Sequence, residues 1–151
     1  MPASSADPAV LSRDSCFIVF SQSAQTSRDV ATWDAQASRF FATRLQAGDG
    51  EAVLVAHGGG AAEPIRVSAR PREAADLALA DRAEARTGGG LGHLAHRCPT
   101  VWLVERRADD DPVALRLAAI LASVLLGPIL DARVPELLGV KTARERLAVT
   151  R

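Results

Sequence analysis

The chain has 151 residues, 48% of them hydrophobic and 24% charged, which predicts a single globular domain large enough to bury a core without staples. Eighteen basic residues balance eighteen acidic ones with no basic stripe, so neither nucleic acid nor an anionic membrane is an expected partner. Aromatic residues make up only 4%, and Tyr is missing, so the core has to come from Ala, Leu and Val.

Residues 1–14 (MPASSADPAVLSRD) read as a flexible N-terminal arm ahead of a single α/β domain over residues 15–151. The arm lacks the charged and apolar regions of a signal peptide. Cys16 and Cys98 are too few for a disulfide framework, and a reducing cytoplasm is the expected compartment. Residues 16–20 (CFIVF) form a continuous apolar run with β-branched and aromatic members, which predicts a buried strand. A Ser-rich turn follows. Thr26 and Asp29 make a capping pair for a helix running to about Ala47, with Val30, Trp33, Ala37, Phe40, Phe41 and Leu45 on one apolar face.

Residues 52–56 (AVLVA) predict a second buried strand, and the alternating residues 65–69 (IRVSA) a half-exposed third. The short Gly58-Gly59-Gly60 connection makes these two a hairpin. Pro71 opens a helix through REAADLALADRAEAR, which the glycines from Gly88 end. Residues 101–104 (VWLV) predict the last strand, after which Glu105, Arg106 and Arg107 carry the chain into solvent.

Residues 112–130 (PVALRLAAILASVLLGPIL) are the most apolar stretch, with Arg116 as their one charge. Asp109, Asp110 and Asp111 ahead of Pro112 supply an N-cap acceptor, with proline at the first helical position. Gly127-Pro128 stops or kinks the helix, and the uninterrupted part is shorter than the roughly 20 residues a bilayer requires. A helix apolar nearly all round is buried in its own core or shared with a second subunit. VPELLG adds one helical turn, and Thr142 with Glu145 caps a short final helix. The order β-α-β-β-α-β-α-α predicts an α+β (or α/β) fold, a ferredoxin-like β-α-β-β-α-β sandwich with extra C-terminal helices. A small doubly wound α/β sheet is the alternative.

Several segments carry candidate chemistry. His57-Gly58-Gly59-Gly60 follows a strand, as the oxyanion-hole segment of α/β-hydrolase esterases does, but the chain has no G-x-S-x-G elbow. Ser21, Ser23, Thr26 and Ser27 put hydroxyls between a strand and a helix, where a phosphate is held, with Gly58, Gly59 and Gly60 as a second candidate anion loop. The run from Ser21 to Thr26, S-x-S-A-x-T, also resembles the phosphate loop of flavodoxins. Gly90-Leu91-Gly92-His93-Leu94-Ala95 fits G-x-G-x-x-A by letters, yet it follows a helix where that motif has to follow a strand. The longer run GGGLGHLAHRCPTVWLV is similar to the last Gly-rich loop, helix and strand of universal stress proteins. That resemblance implies ATP binding or dimerisation. It needs residues 75–81 as a strand, whereas their Ala/Leu composition predicts helix, and Ser21 stands where the family has an acidic residue. His93, His96 and Cys98 have zinc-like spacing but lack a supported fourth ligand.

No catalytic constellation, metal site or cofactor is therefore expected. The expected function is that of a small cytoplasmic, non-enzymatic module working through protein–protein contacts, as a homo-oligomer or a subunit of a larger assembly, by way of the 112–130 helix. The alternative is a nucleotide- or phosphate-ligand-binding protein of universal-stress-protein-like type, using the serine turn and a Gly-rich loop.

Overall fold

The apolar run at residues 16–20 forms a strand, β1 (Cys16–Ser21), and all six of its side chains are buried. A strand buried on both faces needs cover on both sides. The computed structural model, which describes residues 11–49, 53–57 and 62–149, shows how the chain supplies it. After β1 come α1 (Val30–Phe41), β2 (Arg44–Ala47), β3 (Val53–His57), β4 (Glu63–Pro71), α2 (Ala74–Thr87) and α3 (Leu91–His96). Then follow β5 (Thr100–Glu105), α4 (Pro112–Leu125), β6 (Ile129–Asp131), β7 (Glu136–Leu138) and α5 (Val140–Val149).

The strands form one seven-stranded sheet in the order β2-β3-β4-β5-β1-β6-β7, and every neighbouring pair is antiparallel. Phe17 and Val19 of β1, with Trp102 and Val104 of β5, point to the face covered by α1, α4 and α5. Ile18 and Phe20, with Val101 and Leu103, point to the face where α2 and α3 lie. The protein is thus of mixed α+β class. Two expectations need correction. A ferredoxin-like sandwich keeps its helices on one face, whereas here they lie on both, and β5 stands between β1 and β4. A doubly wound sheet is parallel, and this one is antiparallel throughout. The sheet is also wider than expected, because β2 at one edge and β6 and β7 at the other were not separated in the sequence reading.

The first predicted helix ends early. Ala42 turns left-handed (φ 49°), and after Thr43 the residues Arg44–Ala47 pair with β3 as β2. At this outer edge the Leu45 N–H donates to Asp34 Oδ1 at 2.8 Å. Arg44 and the Leu45 amide together hold the Asp34 carboxyl down to about 2. A fixed carboxylate on an edge-strand donor discourages another strand from pairing there.

The 112–130 stretch is not one helix. Asp111 caps α4 by accepting from the Ala114 N–H at 3.1 Å. Leu126 then turns left-handed (φ 61°), and Gly127 passes so close to β1 that a Cβ there would lie 1.9 Å from the Phe20 carbonyl oxygen. Residues 129–131 pair with β1 as β6. Within α4, Ala114, Leu115 and every residue from Leu117 to Ala122 are buried against the chain's own sheet and helices. Among the described residues no helix is long and apolar enough to cross a membrane.

Arg106 does not lead into solvent as expected. Only 4% exposed, it lies 4.0 Å over the Phe17 ring and pairs with buried Asp131, Nη1 to Oδ1, at 2.7 Å. That contact lies outside hydrogen-bond alignment, so it is charge pairing, not a directed bond. The guanidinium instead donates to the Ala108 and Asp109 carbonyls.

A second buried charge ties the N-terminal segment down. Asp76 of α2 is fully buried and accepts from Arg13 Nε at 2.8 Å, Arg70 Nη1 at 2.7 Å and the Glu73 N–H at 2.8 Å. Leu11, just ahead of Arg13, is buried as well. Burial alone would raise the Asp76 pKa, but the Arg70 and Arg13 bonds and the Glu73 amide outweigh it and hold the carboxyl below its ordinary value of 3.8. A depressed folded-state pKa contributes stability above the unfolded value, which is lost as pH falls through the folded one. Unfolding free energy measured by urea titration should therefore drop as pH falls from about 4 towards 2, and this acid sensitivity should weaken in Asp76→Asn. Identical pH slopes for the two proteins would refute the role assigned to Asp76.

Candidate functional site

The sequence-predicted anion residues do not converge. Ser21 pairs with Thr100, and Thr100 with Pro71, so the serine turn leaves the sheet at the carboxyl end of β4. Gly58, Gly59 and Gly60 lie outside the described residues. The strand before them ends at His57, which sits at the opposite end of the sheet beside the start of β4. The nine residues of β4 separate the two ends by about 25 Å. The other Gly-rich loop is no nearer. Arg86, at the end of α2, donates to the Val134 and Pro135 carbonyls, and these lie between β6 and β7 at the far end of β1. That loop already holds an anion, because Glu84 accepts from the Gly92 N–H at 2.8 Å and the Gly90 N–H at 3.0 Å, which lowers its pKa. Gly88, Gly89 and Gly90 all have positive φ, the backbone that aims these amides inward.

Within the serine turn, Ser21 is buried and engaged with Ser23, donating to its carbonyl and accepting from its N–H. Ser23 accepts from the Gln25 N–H at 3.1 Å. The cap of α1 is Asp29, not Thr26. Asp29 accepts from the Thr32 hydroxyl at 2.8 Å and the Thr32 N–H at 3.2 Å, and both bonds lower its pKa. A carboxylate thus occupies the helix N-terminus where a phosphate was expected. Thr26 and Ser27 remain exposed, on the wall of a shallow hollow near Trp102.

The cysteines and histidines separate too. Cys98 is buried and donates to the Leu94 carbonyl at 3.3 Å, while His96 pairs with Asp81 on the surface at 2.8 Å. Among the described residues no group of three potential metal ligands comes together. Burial pushes both Cys16 and Cys98 up to about 11.

One sizeable concavity was missed by sequence reasoning. A cleft of about 450 Å³ opens between the N-terminus of α4, the outer side of α5 and the β6–β7 end of the sheet. Its floor is apolar: Phe17, Leu115, Leu138 and Leu147. Its rim carries Asp109, Asp110, Asp111, Asp131 and Glu145, with Arg146 as the one basic residue lining it among the described residues. Several rim charges are already committed. Asp131 is taken by Arg106, Asp109 by Arg133 at 2.5 Å, Asp111 by the α4 cap, and Arg146 by Glu136 at 2.6 Å. Asp110 and Glu145 pair with no described residue and leave a negative rim above an apolar floor. The lining comes from residues 109–115, β6, β7 and α5 together with Phe17 of β1, more than 90 residues earlier, so no local motif announced it.

No known protein-family model matches the chain, and no characterised protein or solved structure shows significant similarity to it.

The state of the thiols yields a direct check. A buried thiol with a raised pKa holds little thiolate near neutrality and reacts slowly. Ellman's reagent at pH 8 should label neither cysteine rapidly in the folded protein and both once urea unfolds it. Rapid stoichiometric labelling of either one before unfolding would contradict the structure.

Proposed function

We propose that this protein is a non-catalytic binding module, and that its cleft between α4 and α5 receives a basic, amphipathic segment of another protein chain. The observation that carries this reading is the pairing of an apolar floor with the two uncommitted carboxylates Asp110 and Glu145. A volume of about 450 Å³ falls within the range of roughly 300–1,000 Å³ common among binding pockets. The apolar floor supplies affinity through area removed from water, and the acidic rim favours a cationic partner and speeds its approach. Val149 extends the apolar surface at the end of α5, where it is 83% exposed.

The reading keeps the expectation of a protein-contact module and moves the contact. Most of α4 is occupied by the chain's own core, and within residues 112–130 it is the helix start, with Pro112 and the largely buried Leu115, that lines the cleft, while Leu126 is exposed at the other end. The structure of the described thiols and histidines supports binding over catalysis. The thiols are buried, and the one His–Asp pair stands on an exposed surface.

The test is a titration followed by amide chemical shifts. A short synthetic peptide of alternating lysine and leucine should shift the resonances of Leu115, Leu138 and Thr142 saturably. Added salt should weaken it, and Asp110→Lys with Glu145→Lys should weaken it roughly tenfold. The same peptide with glutamate in place of lysine should not bind. Unmoved cleft resonances, or equal binding of the acidic peptide, would rule the proposal out.

A further inference from the structure

The chain has four phenylalanines. Phe17 and Phe20 are buried in the sheet, and Phe41 packs against the core. Phe40, in the last turn of α1, is instead 42% exposed. The charges set against the two helical rings are positive. Arg39 lies over the Phe40 ring at 5.1 Å, and Arg144 of α5 lies over the Phe41 ring at 5.0 Å. Lys141 is exposed one turn before Arg144, on the same side of α5. Among the described residues no carboxylate pairs with Arg39, Arg144 or Lys141.

An exposed ring flanked by uncommitted cations is the complement of the α4–α5 cleft, where an apolar floor lies under Asp110 and Glu145. The two surfaces do not meet within one molecule. α1 is anchored by the buried side chains of Trp33 and Ala37. Arg144 turns towards α1, whereas Thr142 and Arg146 line the cleft, and these positions lie about 160° away from Arg144 around the helix. The patch and the cleft therefore face away from each other across α5.

We propose that the segment the cleft receives is the end of α1 of a second copy of this chain, with Phe40 on the apolar floor and Arg39 facing Asp110 and Glu145. The inference rests on the reading of the cleft as a site for basic, amphipathic segments. Aromatic residues and arginine are the types that interfaces favour, and here they are adjacent in sequence. Because the two surfaces differ, the contact is head-to-tail. Each contact leaves a free patch on one copy and a free cleft on the other, so association continues into a ring or an open chain. A single ring and a few surface charges make this contact weak and sensitive to salt.

Sedimentation velocity of the full chain tests it. At low salt the mean mass should rise with concentration, and added salt or the lysine–leucine peptide should bring it back to that of one chain. Arg39→Glu with Phe40→Ser removes the patch, and Asp110→Lys with Glu145→Lys removes the cleft. All four positions are at the surface, and each double variant alone should stay monomeric. Mixed together, the two variants should form pairs and stop there, because only one productive contact remains. In that mixture the patch variant, labelled with nitrogen-15, should show shifts at Leu115, Leu138 and Thr142. A wild-type chain that stays monomeric at millimolar concentration and low salt overturns the inference. If the peptide still shifts the cleft resonances in that case, the reading of the cleft survives, and if it does not, both fall. A wild-type chain that associates while the mixed variants remain monomeric also overturns it, since the copies then meet through other surfaces.

Discussion

Residues 16–20 have to be kept from water on both sides of one sheet, and the rest of the molecule is arranged by that demand. Burying a side chain such as Ile or Phe contributes roughly 1.5–3 kcal/mol, but only if both faces of the strand are covered. α4 meets the demand on one side, and its Ala-rich, Leu-rich surface lets it lie directly on β1. The thinner layer of α2 and α3 meets it on the other, with Ala80, Ala83 and Ala95 buried beneath. The apolarity of α4 is therefore explained inside the chain. It covers a strand that is itself apolar on both faces.

The polar groups that enter this core do so in matched sets. Arg106 stacks on Phe17, caps two carbonyls and meets Asp131, so the charge is compensated from several directions at the end of β1. Asp76 collects two guanidinium groups and an amide at the other face. Breaking one partner from such a set leaves a buried charge alone, which is more damaging than never having had the pair. Trp102 is the exception: its indole N–H is buried without a described acceptor.

Where local pattern was enough, the sequence was readable. The runs around residues 16–20, 53–56, 65–69 and 101–104 are strands, the Ala-rich segment after Pro71 is a helix, and Asp111-Pro112 opens α4 as capping chemistry requires. The strands that went unread are short or disguised. β6 and β7 have three residues each, too few to show a two-residue alternation. β2 hid because Leu45 falls four residues after Phe41 and so continued the helical spacing, while the true stop, a left-handed Ala42, carries no glycine to mark it. Thr26 and Asp29 were read as one capping pair, whereas the helix starts three residues later and Asp29 itself is the cap. The fate of Arg106 depends on Phe17 and Asp131, on two other strands of the sheet. The cleft depends on β1 meeting the segments between residues 109 and 149, and no reading of neighbours along the chain foresees that.

The central claim is that β1, covered on both faces, is the last element to open. Native-state hydrogen exchange tests it, since amides in the most protected unit exchange only through global unfolding. The amides of Ile18, Val19, Phe20, Leu103 and Val104 that bond within the sheet should share one opening free energy, equal to that of urea unfolding, and β2 amides should open at lower free energy. Protection of β1 no greater than that of β2 would contradict this account of how the fold is held together.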